Sequence, residues 1–132
     1  MRKIIEIIFI VVFIVVSAFF VEESFVDKQI TQPTKMQEKD YVNKYCTGKI
    51  EYVLPDKTRI DCLTDEYAIE YDYAKKWAES IGQSLYYSKK TGKKPAVAII
   101  ISKPSDRKYI KRIEDIEQDI TIFEILADNY SE

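Results

Sequence analysis

The fold of this chain is decided by two consecutive runs, Arg59-Ile60-Asp61-Cys62-Leu63-Thr64 and Tyr67-Ala68-Ile69-Glu70-Tyr71-Asp72-Tyr73. In the second run, aromatic and apolar residues alternate with small or acidic ones, and this period of two residues predicts a β-strand. The first run follows the turn-forming residues 55–57. It is therefore expected to be the returning strand of a hairpin whose other strand is residues 49–54. Three strands are expected in direct succession.

Helical and extended patterns alternate through the rest of the chain. Apolar residues recur at helical spacing in residues 36–45, 74–90 and 104–118. Residues 95–102 form a continuous apolar run typical of a strand buried on both faces, and residues 120–126 alternate again. The order α-β-β-β-α-β-α-β predicts an α/β sandwich around a mixed central sheet. The inward stripe of the second helix is expected to be Ala74, Trp77, Ala78, Ile81, Leu85 and Ser88.

The N-terminus has the composition of a targeting segment. Basic residues at positions 2 and 3 precede an apolar stretch, Ile4 to Val21, that is interrupted only by Glu6 and Ser17. Residues 1–21 are expected to be a cleaved signal peptide or an uncleaved membrane anchor. Residues 22–35 are expected to be a linker, and residues 36–132 the folded domain. Either interpretation places the domain outside the cytoplasm: periplasmic or secreted, or anchored in the inner membrane and facing outward.

The chain of 132 residues contains two cysteines, Cys46 and Cys62, and no histidine. In an oxidising compartment the cysteines are expected to form a disulfide, worth about 3 kcal/mol on the loop-entropy account. The alternative is a pair of buried free thiols. Without histidine, Ser-His and Cys-His nucleophiles are excluded, as is zinc held by histidine. Any catalysis has to use carboxylates, lysines, tyrosines or a metal held by oxygen.

Three acidic residues lie where the second and third strands are expected to pair. Side chains alternate along a strand, so Glu70 and Asp72 share one face, and Asp61 points away from Cys62 and the first helix. Pairing of the two strands is expected to bring the three carboxylates into one pocket. Carboxylates this close repel unless a cation joins them, and Mg²⁺ is the natural candidate. The alternative is a solvated strand face, on which alternating acids are common.

A polar stripe follows on the next helix. Lys76, Gln83 and Tyr87 fall within roughly 40° of one another at about 100° per residue, apart from the apolar stripe. A lysine, an amide and a phenol could bind phosphate or orient a nucleotide, and the alternative is an ordinary solvated helix face. Lys89 and Lys90 belong to a lysine cluster at the helix end. That cluster could contact a phosphate backbone or complement the helix dipole.

The order of elements and these residues resemble the PD-(D/E)XK nuclease superfamily. Its restriction-endonuclease-like core is α-β-β-β-α-β, to which this chain adds an α-β unit. Its second strand carries an aspartate and its third a Glu-x-Lys. The segment Ile81-Gly82-Gln83-Ser84-Leu85-Tyr86-Tyr87 resembles the Gln-x-x-x-Tyr helix motif of RecB-like members. A group of small, mostly uncharacterised exported bacterial proteins is more similar still, with an Arg-x-Asp-Cys-Leu-Thr strand, an Ile-Glu-x-Asp strand and a Lys-Trp-x-Glu-x-x-Gly-Gln helix.

The resemblance implies a metal site and a substrate. Asp61 and Glu70 would be ligands of Mg²⁺ or Mn²⁺, and Glu51 is similar to an extra upstream acid of some members. Gln83 and Tyr87 would position nucleic acid, with DNA expected over RNA and no small-molecule cofactor. The implied activity is that of an exported metal-dependent nuclease. The alternative is an inactive member of the same fold that serves as a binding or structural module of the cell envelope.

One position departs from the family pattern. Asp72 stands where the superfamily has its lysine, which orients the attacking water and stabilises the charge of the transition state. Lys76 lies one helical turn further on and could reach back into the pocket to supply that charge. Otherwise Asp72 would be a third metal ligand, or the site would bind metal without cleaving a substrate.

Overall fold

The computed structural model describes residues 1–8, 10–13, 35–116 and 119–131. The chain divides into two compact units, Met1–Thr34 and Lys35–Glu132. In the first unit, residues 2–8 and 10–13 are helical and their apolar side chains are exposed. No helix within the described ranges is long and apolar enough to cross a membrane. Much of the expected signal peptide or anchor (1–21) and nearly all of the expected linker (22–35) lie outside the described residues.

The second unit is built on a five-stranded mixed sheet, and the predicted element order is confirmed. The strands are β1, Lys49–Val53; β2, Arg59–Leu63; β3, Tyr67–Tyr73; β4, Lys94–Ile101; and β5, Thr121–Leu126. They lie in that order across the sheet, antiparallel from β1 to β3 and parallel from β3 to β5. The helices are α1, Glu38–Tyr45; α2, Trp77–Thr91; and α3, Arg107–Glu114, with 3₁₀ turns at Ala74–Lys76 and Pro104–Asp106.

The core has two layers because the sheet is covered on both faces. On one face, Tyr41 and Val42 of α1 pack against apolar side chains of β2 to β5. On the other face, Ile81 of α2 and Ile110 and Ile113 of α3 pack against β4. Alternate residues of β4 serve the two layers, so this strand is buried on both sides from residue 96 to residue 101, as its continuous apolar run predicted.

The buried face of α2 differs from the predicted stripe. Its buried residues are Ser80, Ile81, Ser84 and Tyr87, whereas Ala78, expected to point inward, is exposed. The serine hydroxyls donate to the backbone carbonyls of Trp77 and Ile81 at 2.9 and 3.0 Å. Because both hydroxyls form hydrogen bonds within the helix, the two serines can be buried without leaving an unsatisfied polar group. The buried face of α2 is therefore centred closer to the serines than the sequence predicted.

The junction between α1 and β1 is held closely against β2. Cys46, the residue that caps α1, forms a disulfide with Cys62, which confirms the predicted pairing. Two residues further on, a Cβ atom added to Gly48 would lie 2.2 Å from the Leu63 carbonyl oxygen. Only glycine allows this approach of the two backbones. The disulfide also fits the expectation of an oxidising compartment.

Candidate functional site

Strand β2 changes face at Asp61. Ile60 packs in a cluster with Tyr87 of α2, whereas Cys62 packs in the cluster that contains α1. Strict alternation would place these two side chains on the same face of the sheet. The regular pairing of β2 with β3 is likewise restricted to Cys62 with Ile69 and Leu63 with Ala68. The two strands therefore separate at Asp61.

Carboxylates replace the missing backbone partners at this separation. The Tyr71 N–H donates to Asp61 Oδ2 at 2.9 Å, and the Asp61 N–H donates weakly to Glu70 Oε1 at 3.4 Å. These two contacts place the side chains of Asp61 and Glu70 in the gap between the strands. The structure therefore brings Asp61 and Glu70, two of the three acids expected in one pocket, close together.

The gap opens into a cleft of about 620 Å³. It is polar: six acidic side chains and four basic ones contribute to its walls, drawn from α1, β1, β2, β3 and the start of α2. Six of the residues singled out from the sequence line it, namely Glu51, Asp61, Glu70, Asp72, Lys76 and Gln83. Five charged residues that sequence reasoning did not single out as site residues join them: Glu38, Lys39, Lys57, Arg59 and Glu79.

Burial makes the ionised form of two of these acids costly. Glu70 is 4% exposed and Asp72 is 6% exposed. Desolvation, reinforced by the nearby Asp61 carboxylate, raises the pKa of Glu70 to about 9. Desolvation, reinforced by Glu38, raises the pKa of Asp72 to about 7, although Lys76 opposes this shift. The pKa of Asp61 is also raised by its burial. The cleft therefore concentrates carboxyl groups that lack sufficient positive charge.

Lys76 reaches back toward the strand, as proposed from its position. Its Nζ atom lies 2.9 Å from Glu38 Oε1 and 3.4 Å from Asp72 Oδ1. The hydrogen bond to Glu38 is the main reason that the pKa of Lys76 is raised. The positive charge of Lys76 thus lies beside Asp72, where the family pattern has a lysine on β3. This charge is shared with the Glu38 carboxylate of α1.

Arg59 is the principal residue that sequence reasoning missed. Its Nε atom lies 2.7 Å from Glu51 Oε2. The positive charge of Arg59 opposes the upward shifts in the pKa of both Asp61 and Glu70. A signal for it was present, because Arg59 lies two residues before Asp61 and side chains two apart on a strand share a face. Glu51, expected to be a metal ligand, forms a salt bridge with this arginine.

Three residues expected to bind nucleic acid do not line the cleft. Tyr87 is 5% exposed and packs with Leu54, Ile60 and Ala68, so its expected place on a polar stripe apart from the core is wrong. Lys90 lies 3.7 Å from Asp56 Oδ2 at the β1–β2 turn, and Lys89 is exposed at the far end of α2. Of the predicted helix residues, Lys76 and Gln83 alone are brought to the carboxylates.

The donor chemistry of the cleft fits a hard divalent cation, since Mg²⁺ prefers carboxylate oxygens. The arrangement is not closed around such an ion. Within residues 1–8, 10–13, 35–116 and 119–131, no group of three or more His, Cys, Asp or Glu side chains is placed to hold a metal. The bond from Tyr71 to Asp61 Oδ2 occupies one of the oxygens concerned.

Comparisons with protein families, with curated proteins and with solved structures find no match to the chain. The resemblance to the PD-(D/E)XK superfamily therefore stays a prediction that rests on the residues quoted for it.

Proposed function

We propose that this protein is a metal-dependent phosphodiester hydrolase of the nuclease type with a restriction-endonuclease-like core. The observation that supports the proposal most strongly is the cleft at the separation of β2 and β3. Carboxylates of Asp61, Glu70 and Asp72 line it together with Lys76 and Gln83. Two of these acids are more than nine-tenths buried. Buried carboxyl groups at that density are stabilised in their charged form by a bound cation.

The proposal assigns a role to each group. Asp61 and Glu70 would hold Mg²⁺ or Mn²⁺, with Asp72 as a further oxygen donor. When bound, the ion would lower the pKa of a water molecule and stabilise negative charge on the phosphate. Lys76, beside Asp72, would hold a phosphate oxygen or keep the attacking water oriented. Gln83, on the wall formed by α2, would donate a hydrogen bond to the nucleic acid.

The second candidate is a binding module of the same fold that does not cleave its ligand. Two observations favour it. Lys76 is already shared between Glu38 and Asp72, and no group of three potential ligands within the described ranges is placed around a metal. In this alternative, the cleft binds a cation or a charged partner, and position 72 lacks the lysine because no reaction needs it.

Cleavage assays distinguish the two candidates. The full-length, oxidised chain is incubated with fluorescent single-stranded and duplex DNA and with RNA, in Mg²⁺, in Mn²⁺ or in EDTA. We expect cleavage of DNA in either metal and none in EDTA. Glu70→Gln should lower the rate at least about 100-fold, since removal of a metal ligand or of a transition-state stabiliser typically costs this much. The matched control is Glu114→Gln, the same change at an exposed position of α3.

The nuclease proposal fails if no substrate is cleaved in either metal by protein whose folding is verified by circular dichroism. It also fails if Glu70→Gln and Glu114→Gln cleave equally well. Binding of Mg²⁺ without cleavage, measured by calorimetry and lost in Glu70→Gln, would leave the binding module as the function of the cleft.

A further inference from the structure

The β1–β2 hairpin carries unusual backbone geometry where it faces the cleft. Glu51 and Lys57 have φ angles of 56° and 72°, and within the described ranges they are the two residues other than glycine with positive φ. Both of them line the cleft. Such conformations are costly for residues with a side chain, and they persist where the surrounding structure requires them.

The conformation of Glu51 holds Arg59 in a fixed orientation. Glu51 lies at the one position that the regular pairing of β1 with β2 omits, between the Ile50–Cys62 and Tyr52–Ile60 pairs, and its carboxylate meets the Nε atom of Arg59 at 2.7 Å. This bond uses one edge of the guanidinium group. Arg59 forms no ion pair with any other residue in the part of the chain that the structure describes. Its side chain lines the cleft beside the carboxylates.

Lys57 is placed by the turn of the same hairpin. Its N–H donates to the Leu54 carbonyl at 2.9 Å, and the Leu54 N–H donates to the Thr58 carbonyl at 2.8 Å. The Thr58 N–H and hydroxyl both donate to Asp56. These bonds fix a turn whose lysine lines the cleft and forms no ion pair with any described residue.

We propose that Arg59, oriented by Glu51 and assisted by Lys57, binds a backbone phosphate of the nucleic acid above the carboxylates of the cleft. This inference rests on the proposed function and names the group that contacts its substrate. A guanidinium presents two parallel N–H donors to phosphate, which an ammonium group cannot do. Arg59 thereby supplies, from β2, the fixed positive charge that β3 lacks at Asp72.

Arg59 suits this role better than Lys76. The Lys76 ammonium is shared between two carboxylates, so an incoming phosphate has to compete with both. Arg59 has a single carboxylate partner among the described residues, and that partner meets the guanidinium at Nε. The anion would bind the opposite edge, formed by the two terminal amino groups. In this arrangement Glu51 is a positioning residue rather than a metal ligand.

The test measures binding separately from cleavage. Fluorescence anisotropy follows a fluorescein-labelled single-stranded DNA 12-mer bound to the full-length oxidised protein in EDTA. A buffer at about pH 6 is used, because most Glu70 carboxyls are then protonated and oppose the DNA least. We expect Arg59→Ala to weaken binding at least about tenfold and to reduce the salt slope by about one. Arg59→Lys should restore the slope but not the affinity.

Arg107→Ala is the matched control. Arg107 is also a half-exposed arginine paired with a glutamate, Glu124 of β5, and it does not line the cleft. We expect its affinity to stay within about twofold of the wild type. Competition by inorganic phosphate, by a mononucleotide and by an RNA 12-mer distinguishes the possible sources of the phosphate. The inference predicts that both oligonucleotides displace the probe at far lower concentration than either small molecule.

Glu51→Gln tests the positioning role. It keeps the shape of the side chain and removes the charge that fixes Arg59. We expect weaker binding, with no further loss when Glu51→Gln is added to Arg59→Ala. If Arg59→Ala binds DNA as the wild type does, the inference is wrong, even if metal-dependent cleavage is observed. If Arg59-dependent binding is found without any cleavage, the inference stands and the proposed hydrolase does not.

Discussion

At the scale of single residues, burial acts strongly on the carboxyl of Glu70. Its pKa of about 9 lies well above the ordinary value of 4.5, because folding removes it from water and brings it close to Asp61. An acidic group whose pKa is raised on folding does not destabilise the protein at pH values below its pKa in the unfolded chain. Its cost grows as the pH rises, and is complete above the folded value.

We therefore predict that Glu70→Gln stabilises the metal-free protein at alkaline pH. The amide oxygen of glutamine can still accept the Asp61 N–H, while the ionisable group is lost. At pH 8 the free energy of unfolding should exceed that of the wild type by at least about 1.4 kcal/mol, the equivalent of one pKa unit. The difference should shrink toward zero near pH 4.5. Urea titrations at several pH values measure it.

Two comparisons make this prediction specific. Glu114→Gln, at an exposed position, should show no pH-dependent difference from the wild type. Addition of Mg²⁺ should reverse the sign for Glu70→Gln, because a bound cation stabilises the ionised form that the variant lacks. A difference between Glu70→Gln and the wild type that is the same at pH 5 and pH 8 would contradict the raised pKa of Glu70.

At the scale of elements, the link between α1 and β1 depends on the lack of a side chain at Gly48. A Cβ atom there would lie 2.2 Å from the Leu63 carbonyl oxygen and 2.9 Å from the Thr64 Cα atom. Both of these are backbone atoms, which cannot move without disturbing β2. The Cys46–Cys62 disulfide holds the same two segments together, so they cannot separate to relieve the clash.

We predict that Gly48→Ala destabilises the protein by about 1–3 kcal/mol, the usual cost of overpacking. The matched control is Gly82→Ala on α2, where an added Cβ meets nothing within 4 Å. Since alanine is the better helix former, the control should be more stable by about 0.5–1 kcal/mol. Thermal unfolding of both variants gives the comparison. Equal melting temperatures for the two variants would show that the backbone around Gly48 moves enough to accommodate the added Cβ atom without loss of stability.

Most of the helices and strands could be predicted from residue patterns. The alternation in β3, the apolar run of β4 and the Gly92 that ends α2 with a φ of 70° all have local causes. The change of face of β2 at Asp61 could not be predicted from the sequence. It occurs where β3 stops pairing regularly with β2. The burial of Tyr87 was missed for the same reason. It depends on Ile60 having turned toward α2.

At the scale of the whole domain, burial differs strongly between the strands of the sheet. Strand β4 pairs on both edges and is covered on both faces, and its residues from 96 to 101 are buried. Among the strands that the structure describes, β1 pairs with β2 alone, and its Ile50 and Val53 side chains are 41% and 55% exposed. The strand residues that line the cleft belong to β1, β2 and β3, and none belongs to β4.

We predict a corresponding gradient in native-state hydrogen exchange. Amides of β4 should exchange only through global unfolding, and those of β1 should exchange at least about 100-fold faster through local opening. Mg²⁺ should slow exchange in β2 and β3 more than in β5, if it binds where proposed. Hydrogen–deuterium exchange followed by NMR resolves these strands. Uniform protection across the sheet would show that the whole domain opens as one unit.

The disulfide between Cys46 and Cys62 also bears on when the cleft becomes fully formed after synthesis. Asp61 adjoins Cys62, so the bond that ties β2 to the end of α1 steadies one wall of the cleft. A newly synthesised chain, still reduced, holds that wall by packing and hydrogen bonds alone. We expect the reduced chain to bind a ligand of the cleft more weakly than the oxidised chain does. Formation of the disulfide is therefore expected to complete the cleft.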